Sequence, residues 1–243
     1  DATISGIESH GDLTLNKVNI SSARHAVRIE KGNAVIDGGE YTIIAQSGKT
    51  QHALNVSGNS NVVVKAGKFV GPKGTNNDSG SAVNVQKGAT VTIEGGDFSK
   101  GKNKTLANAG TLKVQGGTFD QDPSKYVVAG YKSILDGDKY IVKSDTYVTT
   151  AEELAAALKS DAAEINVVLY NDIDVAISSL GQITGGSGEY KLGGENTQKI
   201  NIDLNEKRLN ITTTYWSGIE AKNDNALFTI KNGTMTSSQA TGT

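Results

Sequence analysis

The chain has 243 residues, of which 36% are hydrophobic, 5% aromatic and 21% charged, with 29 Gly, 2 Pro and no Cys. Its 24 basic and 26 acidic side chains nearly cancel and form no long run of one sign, so the electrostatic footprint of a nucleic-acid binder is missing. Disulfides and thiolate metal sites are excluded, and no apolar stretch approaches the roughly 20 residues that span a bilayer, so membrane insertion is not expected.

Residues 6–20 read as a first structural repeat, with Leu13-Thr14-Leu15 and Val18-Asn19-Ile20 in strand positions. Three further strands share one order of residue types: Ala26-Val27-Arg28-Ile29, Ala53-Leu54-Asn55-Val56 and Ala82-Val83-Asn84-Val85. Alternation sends Val27/Ile29, Leu54/Val56 and Val83/Val85 inward and Arg28, Asn55 and Asn84 outward, so stacking would build an external Arg-Asn-Asn column. Gly32, Gly58 and Gly88 follow, at corners where only Gly adopts left-handed backbone cheaply. A second turn signature then recurs as Gly38-Gly39-Glu40-Tyr41, Ala66-Gly67-Lys68-Phe69, Gly95-Gly96-Asp97-Phe98 and Gly116-Gly117-Thr118-Phe119, its aromatics 28, 29 and 21 residues apart. A period in this range predicts stacked repeats, none of which buries its apolar face alone. A β-sandwich fits less well, because its turns would recur every ~8–12 residues without the same residue order returning.

After Phe119 the pattern changes. Asp122-Pro123 opens a turn, Ser124 to Ala129 reads as one or two helical turns ended by Gly130, and Tyr131–Leu135 with Asp138–Val142 reads as a hairpin closed by Asp136-Gly137. This segment is expected to cap the last repeat, shielding its open strand edge. Thr149 to Lys159 is the one strong helix, with Thr150 and Glu153 at capping-box spacing and Leu154 and Leu158 on one face. Strand runs resume at Ile165–Leu169, Ile200–Leu204, Leu209–Ile211 and Leu227–Ile230, and Ile230 to Met235 overlays Ile93 to Phe98 position for position. The loop from Ser178 to Gln198 carries no assignable pattern.

Gly116-Gly117-Thr118-Phe119 running through Asp122-Pro123-Ser124-Lys125-Tyr126 to Gly137-Asp138-Lys139-Tyr140-Ile141-Val142 resembles the terminal segment of pectate-lyase-like β-helix modules in secreted bacterial surface proteins. Thr150-Ala151-Glu152-Glu153-Leu154 with Ile202-Asp203-Leu204-Asn205-Glu206-Lys207-Arg208-Leu209 resembles the opening of such a module. The resemblance implies an all-β fold, a right-handed parallel β-helix (solenoid) with a cap segment and one short amphipathic helix. Residues 1–145 would be the C-terminal part of one module with its terminal cap, and residues 146–243 the helix-capped N-terminal part of a second. Placing the second part ahead of the first would give one complete module. The chain then reads either as a repeat unit that self-associates head to tail or as a fragment with frayed ends, and Asp1 reads as the start of a mature or excised piece.

The same family includes enzymes, adhesins and glycan-binding proteins, so fold alone does not choose. Its lyases imply clustered Asp for calcium with an Arg or Lys base, and its hydrolases imply Gly-His-Gly and Arg-Ile-Lys elements. Here Ser9-His10-Gly11 and Arg28-Ile29-Glu30 depart from those elements at the defining positions, and no carboxylate pair falls on matching positions. The expected function is therefore a non-catalytic, extracellular or cell-surface structural or adhesive solenoid with a glycan or cell-surface partner; the alternative is a polysaccharide lyase or hydrolase. Candidate glycan contacts are Tyr215 and Trp216, as a stacking platform for a pyranose, and the Arg28, Asn55 and Asn84 column. No cofactor is required by the sequence. Calcium is the one cation its Asp-rich turns could take, such as Asp136-Gly137-Asp138 and Asn171-Asp172-Ile173-Asp174, although Asx turns explain them equally. His25 and His52 occupy equivalent places before Ala26 and Ala53 and read as corner histidines on a polar edge, with Ser81 where a third zinc ligand would have to be.

Overall fold

Apolar residues alternating with polar ones, punctuated by Gly, form short strands through the first part of the chain. The computed structural model describes residues 5–44, 50–72, 80–102, 104–160, 162–180, 199–213 and 227–239, and the chain divides into two units, Asp1–Ser144 and Asp145–Thr243. Both are built mostly of β-strands in parallel sheets. Among the described residues no helix is long and apolar enough to cross a membrane.

The first unit contains β1 (Ile7–Ser9), β2 (Leu13–Asn16), β3 (Ile20–Ser22), β4 (His25–Ile29), β5 (Asn33–Ile43), β6 (His52–Val56), β7 (Asn61–Val70) and β8 (Ser81–Val85). There follow β9 (Thr90–Ile93), β10 (Asp97–Ser99), β11 (Leu106–Asn108), β12 (Thr111–Val114), β13 (Gly117–Phe119), β14 (Tyr131–Asp136) and β15 (Lys139–Ser144). One sheet has the order β1-β4-β6-β8-β11, so every neighbour comes from the next repeat, and all pairs are parallel. Register is residue for residue: Ile7, Val27, Leu54, Val83 and Leu106 stand side by side. A ten-stranded sheet holds the remaining strands, again parallel, until β15 pairs antiparallel with β13 and with β14.

Between the sheets lies a core of Val, Ile, Leu and Ala, with one file of aromatics. Tyr41, Phe69, Phe98 and Phe119 are buried and stack with ring centroids 4.7, 5.1 and 4.9 Å apart and interplanar angles of 16° or less. In-register pairing sets this spacing, since the rings are carried on adjacent strands ~4.8 Å apart. The turn glycines are brought together by the same register. A Cβ on Gly67 would sit 3.3 Å from Gly39 O, one on Gly96 would sit 2.7 Å from Gly67 O, and one on Gly117 would sit 3.0 Å from Gly96 O. At Gly39 both constraints coincide: φ is +93°, and a Cβ would lie 2.0 Å from Val18 O. Gly39→Ala is expected to cost at least about 2 kcal/mol, whereas Gly130→Ala, at φ +83° in open space, costs only about 1 kcal/mol of left-handed strain. Urea unfolding of both variants checks the difference. In the first repeat Lys17, at φ +54°, takes the left-handed role without Gly.

The hairpin turn falls on Gly137-Asp138, one residue later than the sequence suggests, because Asp136 pairs with Lys139 and Gly137 takes φ +62°. Ser124–Tyr126 is a single 3-10 turn, and Val127 bridges to Val114, so β12 and β13 are both covered at this end.

The second unit contains β16 (Tyr147–Val148), α1 (Ala151–Leu158), β17 (Glu164–Leu169), β18 (Ile173–Ala176), β19 (Lys199–Asp203), β20 (Arg208–Thr213), β21 (Leu227–Lys231) and β22 (Thr234–Gln239). Two parallel sheets result, β16-β17-β19-β21 and β18-β20-β22. Thr150 Oγ1 accepts from the Glu153 N–H at 3.2 Å, while the Glu153 carboxylate accepts from Thr149 N–H at 2.7 Å, one residue before the usual return of a capping box. Leu154, Ala155 and Leu158 on one face of α1 join a core with Ile165, Val167, Ile200 and Ile211. Ile230 and Met235 lie on different sheets, so the overlay on Ile93–Phe98, which stays within one sheet, is corrected: this corner matches the sheet-to-sheet passage from Ile29 to Ala34.

Candidate functional site

Outward residues of β1, β4, β6 and β8 form the row Glu8, Arg28, Asn55, Asn84. Arg28 Nη1 donates to Glu8 at 3.2 Å, and its other terminal nitrogen pairs with Glu30. His10 sits between the same two carboxylates, Nε2 3.3 Å from Glu8 and Nδ1 3.2 Å from Glu30. Further along, Asn55 Oδ1 accepts from Asn84 Nδ2 at 2.8 Å and from Gln86 Nε2 at 3.2 Å. The sequence-derived column is thus brought together in register, but Asn55 is only 3% exposed and its amide oxygen is taken up by its neighbours. Arg28, 29% exposed at its side chain, and Asn84, half-buried, are the members an incoming ligand could reach. Arg28 Nε is buried and has no hydrogen-bond partner. Tyr215 and Trp216 lie outside the described residues.

Glu8, His10 and Glu30 bring ligand-type atoms within 4.8 Å of one another. Arg28 already occupies the space between the carboxylates, and the two His10 nitrogens face different partners, so a cation would have to displace a charge already in place. Sequence reading missed this group because Glu8 and Glu30 belong to different strands and corners. Its only signal is that Glu8 falls at the strand position shared by Arg28 in the next repeat.

His25 and His52 are the clearest correction to the sequence reading. Both are buried, at 4% and 3% exposure, and their rings stack at 5.5 Å and 2°. His25 Nδ1 accepts from His52 N–H at 3.2 Å, and His52 Nδ1 accepts from Ser81 N–H at 3.2 Å, with Ser81 Oγ 2.8 Å away. A ring whose Nδ1 accepts carries its proton on Nε2 and is neutral. Burial, then Arg24 and Arg28, lowers the His25 pKa to about 4; burial, then His25, lowers that of His52 to about 3. These are internal cross-strand links, not an exposed edge.

One open cleft in the first unit, about 420 Å³, is floored by Gly95, Gly96, Gly116 and Gly117 and flanked by Glu94 and Lys143. A Cβ on Gly116 would meet Glu94 O at 2.0 Å, so close strand packing accounts for the bare floor.

No protein-family model, curated protein or solved structure matches this chain. Function must therefore come from the chemistry of the surface. Hydrogen bonds from Arg208 and Asn210 hold Asp174 below the usual carboxylate range, the reverse of what a general acid needs. The outer rows are charge-paired and amide-paired: Glu40 with Lys68 at 3.1 Å, Asp174 with Arg208 at 2.7 Å, and Asn201 donating to Asn166 at 3.0 Å. Such rows present hydrogen-bonding groups at regular spacing.

Proposed function

We propose that the protein is a non-catalytic, bacterial, secreted or surface-displayed β-solenoid, a right-handed parallel β-helix in two parts, with a structural or adhesive role and a glycan as ligand. The coiled architecture is supported by one observation above the rest: the same strand position from five successive repeats, Ile7 to Leu106, stands side by side in a parallel sheet. Each repeat thus acts as one turn, burying its apolar side only against its neighbours. The adhesive role is supported by outer rows of amide and charged groups that can meet sugar hydroxyls, with Arg28 and Asn84 the accessible members of the best-formed row. A cation gains nothing from the grouping of Glu8, His10 and Glu30, because the Arg28 guanidinium already pairs with both carboxylates.

A glycan array probed with the intact chain tests the ligand class. Binding to a subset of polysaccharides is expected, weakened about tenfold by Arg28→Ala with Asn84→Ala if the row carries it, or by Trp216→Ala if the Tyr215–Trp216 pair does. Retention of no glycan by the intact chain would remove the adhesive reading. The polysaccharide lyase or hydrolase alternative is favoured only by the grouping of Glu8, His10, Glu30 and Arg28. Release of unsaturated product from polygalacturonate would support it instead.

A further inference from the structure

Of the four ends of the two stacks of strands, two are covered. The last repeat of the first unit carries the antiparallel hairpin β14–β15, and the first strand layer of the second unit carries α1. The other two ends are β1–β2–β3 and β21–β22, and among the described residues neither has a strand on its outer side. Their apolar residues show the difference. Ile7 and Leu13 are only partly buried, where the next residues in their files, Val27 and Ala34, are 0% and 2% exposed. Met235 is 36% exposed, and Phe228 and Ile230 are only partly buried, where the residues before them in their files, Leu209, Ile200 and Ile202, are 1%, 2% and 1% exposed.

We infer that the β21–β22 edge of one copy pairs in parallel with the β1–β2 edge of a second copy, head to tail, so that copies add in an open series. The inference rests on the coiled reading proposed above, and not on the glycan.

Backbone phase supports this pairing. In both units the inward-facing residue of a strand directs its backbone to the following strand: Ile29 O accepts from Ser57 N–H, Val64 O from Glu94 N–H, and Val148 O from Tyr170 N–H, each at 2.8 Å. The outward residue directs its backbone to the preceding strand, as Asp37 O accepts from Lys17 N–H at 2.9 Å and Lys231 O from Leu204 N–H at 2.9 Å. For L-residues this shared phase means that the two units coil with the same hand. It also fixes what each free edge offers. Phe228, Ile230, Met235 and Ser237 point their backbone groups outward from one edge, and Glu8, Thr14 and Asn16 do so from the other. A parallel ladder needs one such set from each strand.

Side chains and corners agree. Setting Phe228 beside Ile7 and Met235 beside Leu13 continues both apolar files. Ile230 to Met235 is a step of five positions and Ser9 to Leu13 a step of four; the latter is already stacked on a five-position corner, Ile29 to Ala34. In that register Lys231 arrives beside His10, with the Glu8 and Glu30 carboxylates next to it. A contact of this type, the same two unlike edges used by every copy, does not close on itself and generates filaments.

Sedimentation velocity of the intact chain over a range of concentrations tests the inference. Mass is expected to rise past the dimer as concentration increases. Ser237→Pro and Thr14→Pro each remove an N–H that faces the free edge, leaving Thr234 N–H bonded to Lys207 O and Lys17 N–H bonded to Asp37 O. Each variant alone should be monomeric, and their equimolar mixture should stop at dimers, since only one good edge of each kind remains. Lys231→Glu, which leaves the backbone untouched, should weaken association about tenfold at low salt and serves if a proline variant loses its circular dichroism. A chain that stays monomeric throughout, variants that assemble like the parent, or a mixture without dimers would overturn the inference. Electron microscopy of the monomer reports on the coil separately, so a coiled particle that does not associate rejects this pairing and leaves the proposed fold intact.

Discussion

Replacing Phe69 by alanine is expected to lower the unfolding free energy by about 3–5 kcal/mol, roughly a fifth or more of what a typical domain has. Phe69 is fully buried and has a ring on each side, Tyr41 at 4.7 Å and Phe98 at 5.1 Å, so truncation opens a cavity in the middle of the file and removes two stacking contacts at once. The neighbours cannot close the gap, because each ring is fixed to a strand held by hydrogen bonds on both sides. Tyr41→Phe is the contrasting case. It keeps the ring and loses only the hydroxyl that donates to Gly38 O at 2.9 Å, at a cost of about 1 kcal/mol. Urea denaturation of the three proteins measures both differences. A Phe69→Ala loss below about 1 kcal/mol would mean that the file is ornamental to stability.

Acid is expected to destabilise the first unit earlier than carboxylate titration alone would. An unfolded histidine has a pKa near 6.5, whereas His25 and His52 are held to about 4 and about 3. The folded pKa values are depressed, so below 6.5 the unfolded chain binds protons that the folded chain refuses. Their contribution is fully present above pH 6.5 and falls as the pH drops toward 4. With about 1.4 kcal/mol per pH unit for each histidine as an upper limit, the loss between pH 6.5 and 5 is roughly 2–4 kcal/mol. Arg24 and Arg28 deepen the effect at His25, and Glu8 opposes it. The doubly substituted His25→Asn, His52→Asn chain keeps an acceptor oxygen near each Nδ1 position and has nothing to protonate. Its stability should be flat over this window, with exposed His10 common to both proteins. An unchanged slope in the variant would place the sensitivity elsewhere.

Much of the architecture was legible because the repeats align by residue type. The spacing of Tyr41, Phe69, Phe98 and Phe119 anticipates which rings lie beside which, and Gly39, Gly67, Gly96 and Gly117 fall along one edge as that spacing requires. Alternation assigned Arg28, Asn55 and Asn84 to one face, yet period two says nothing of what covers that face, so the burial of Asn55 could not be foreseen. His25 and His52 were misplaced for a related reason. They begin their strands, where corner and interior differ only in the direction of one residue, and imidazole is at home in either. The match of Ile230–Met235 to Ile93–Phe98 misled because a five-residue step serves both a bend within a sheet and a passage between sheets. Glu30 and His10 joined Arg28 only through the corners that fold them back, which no strand pattern encodes.

The hairpin β14–β15 has a further consequence for how much change in length the first unit can absorb. Each interior strand pairs only with its counterparts in the repeats before and after, while the hairpin meets β13 alone among the parallel strands. A cassette of some 20–30 residues duplicated or lost upstream therefore leaves the terminator and its docking strand untouched. A first unit lengthened or shortened by whole cassettes would still finish on the same bookend.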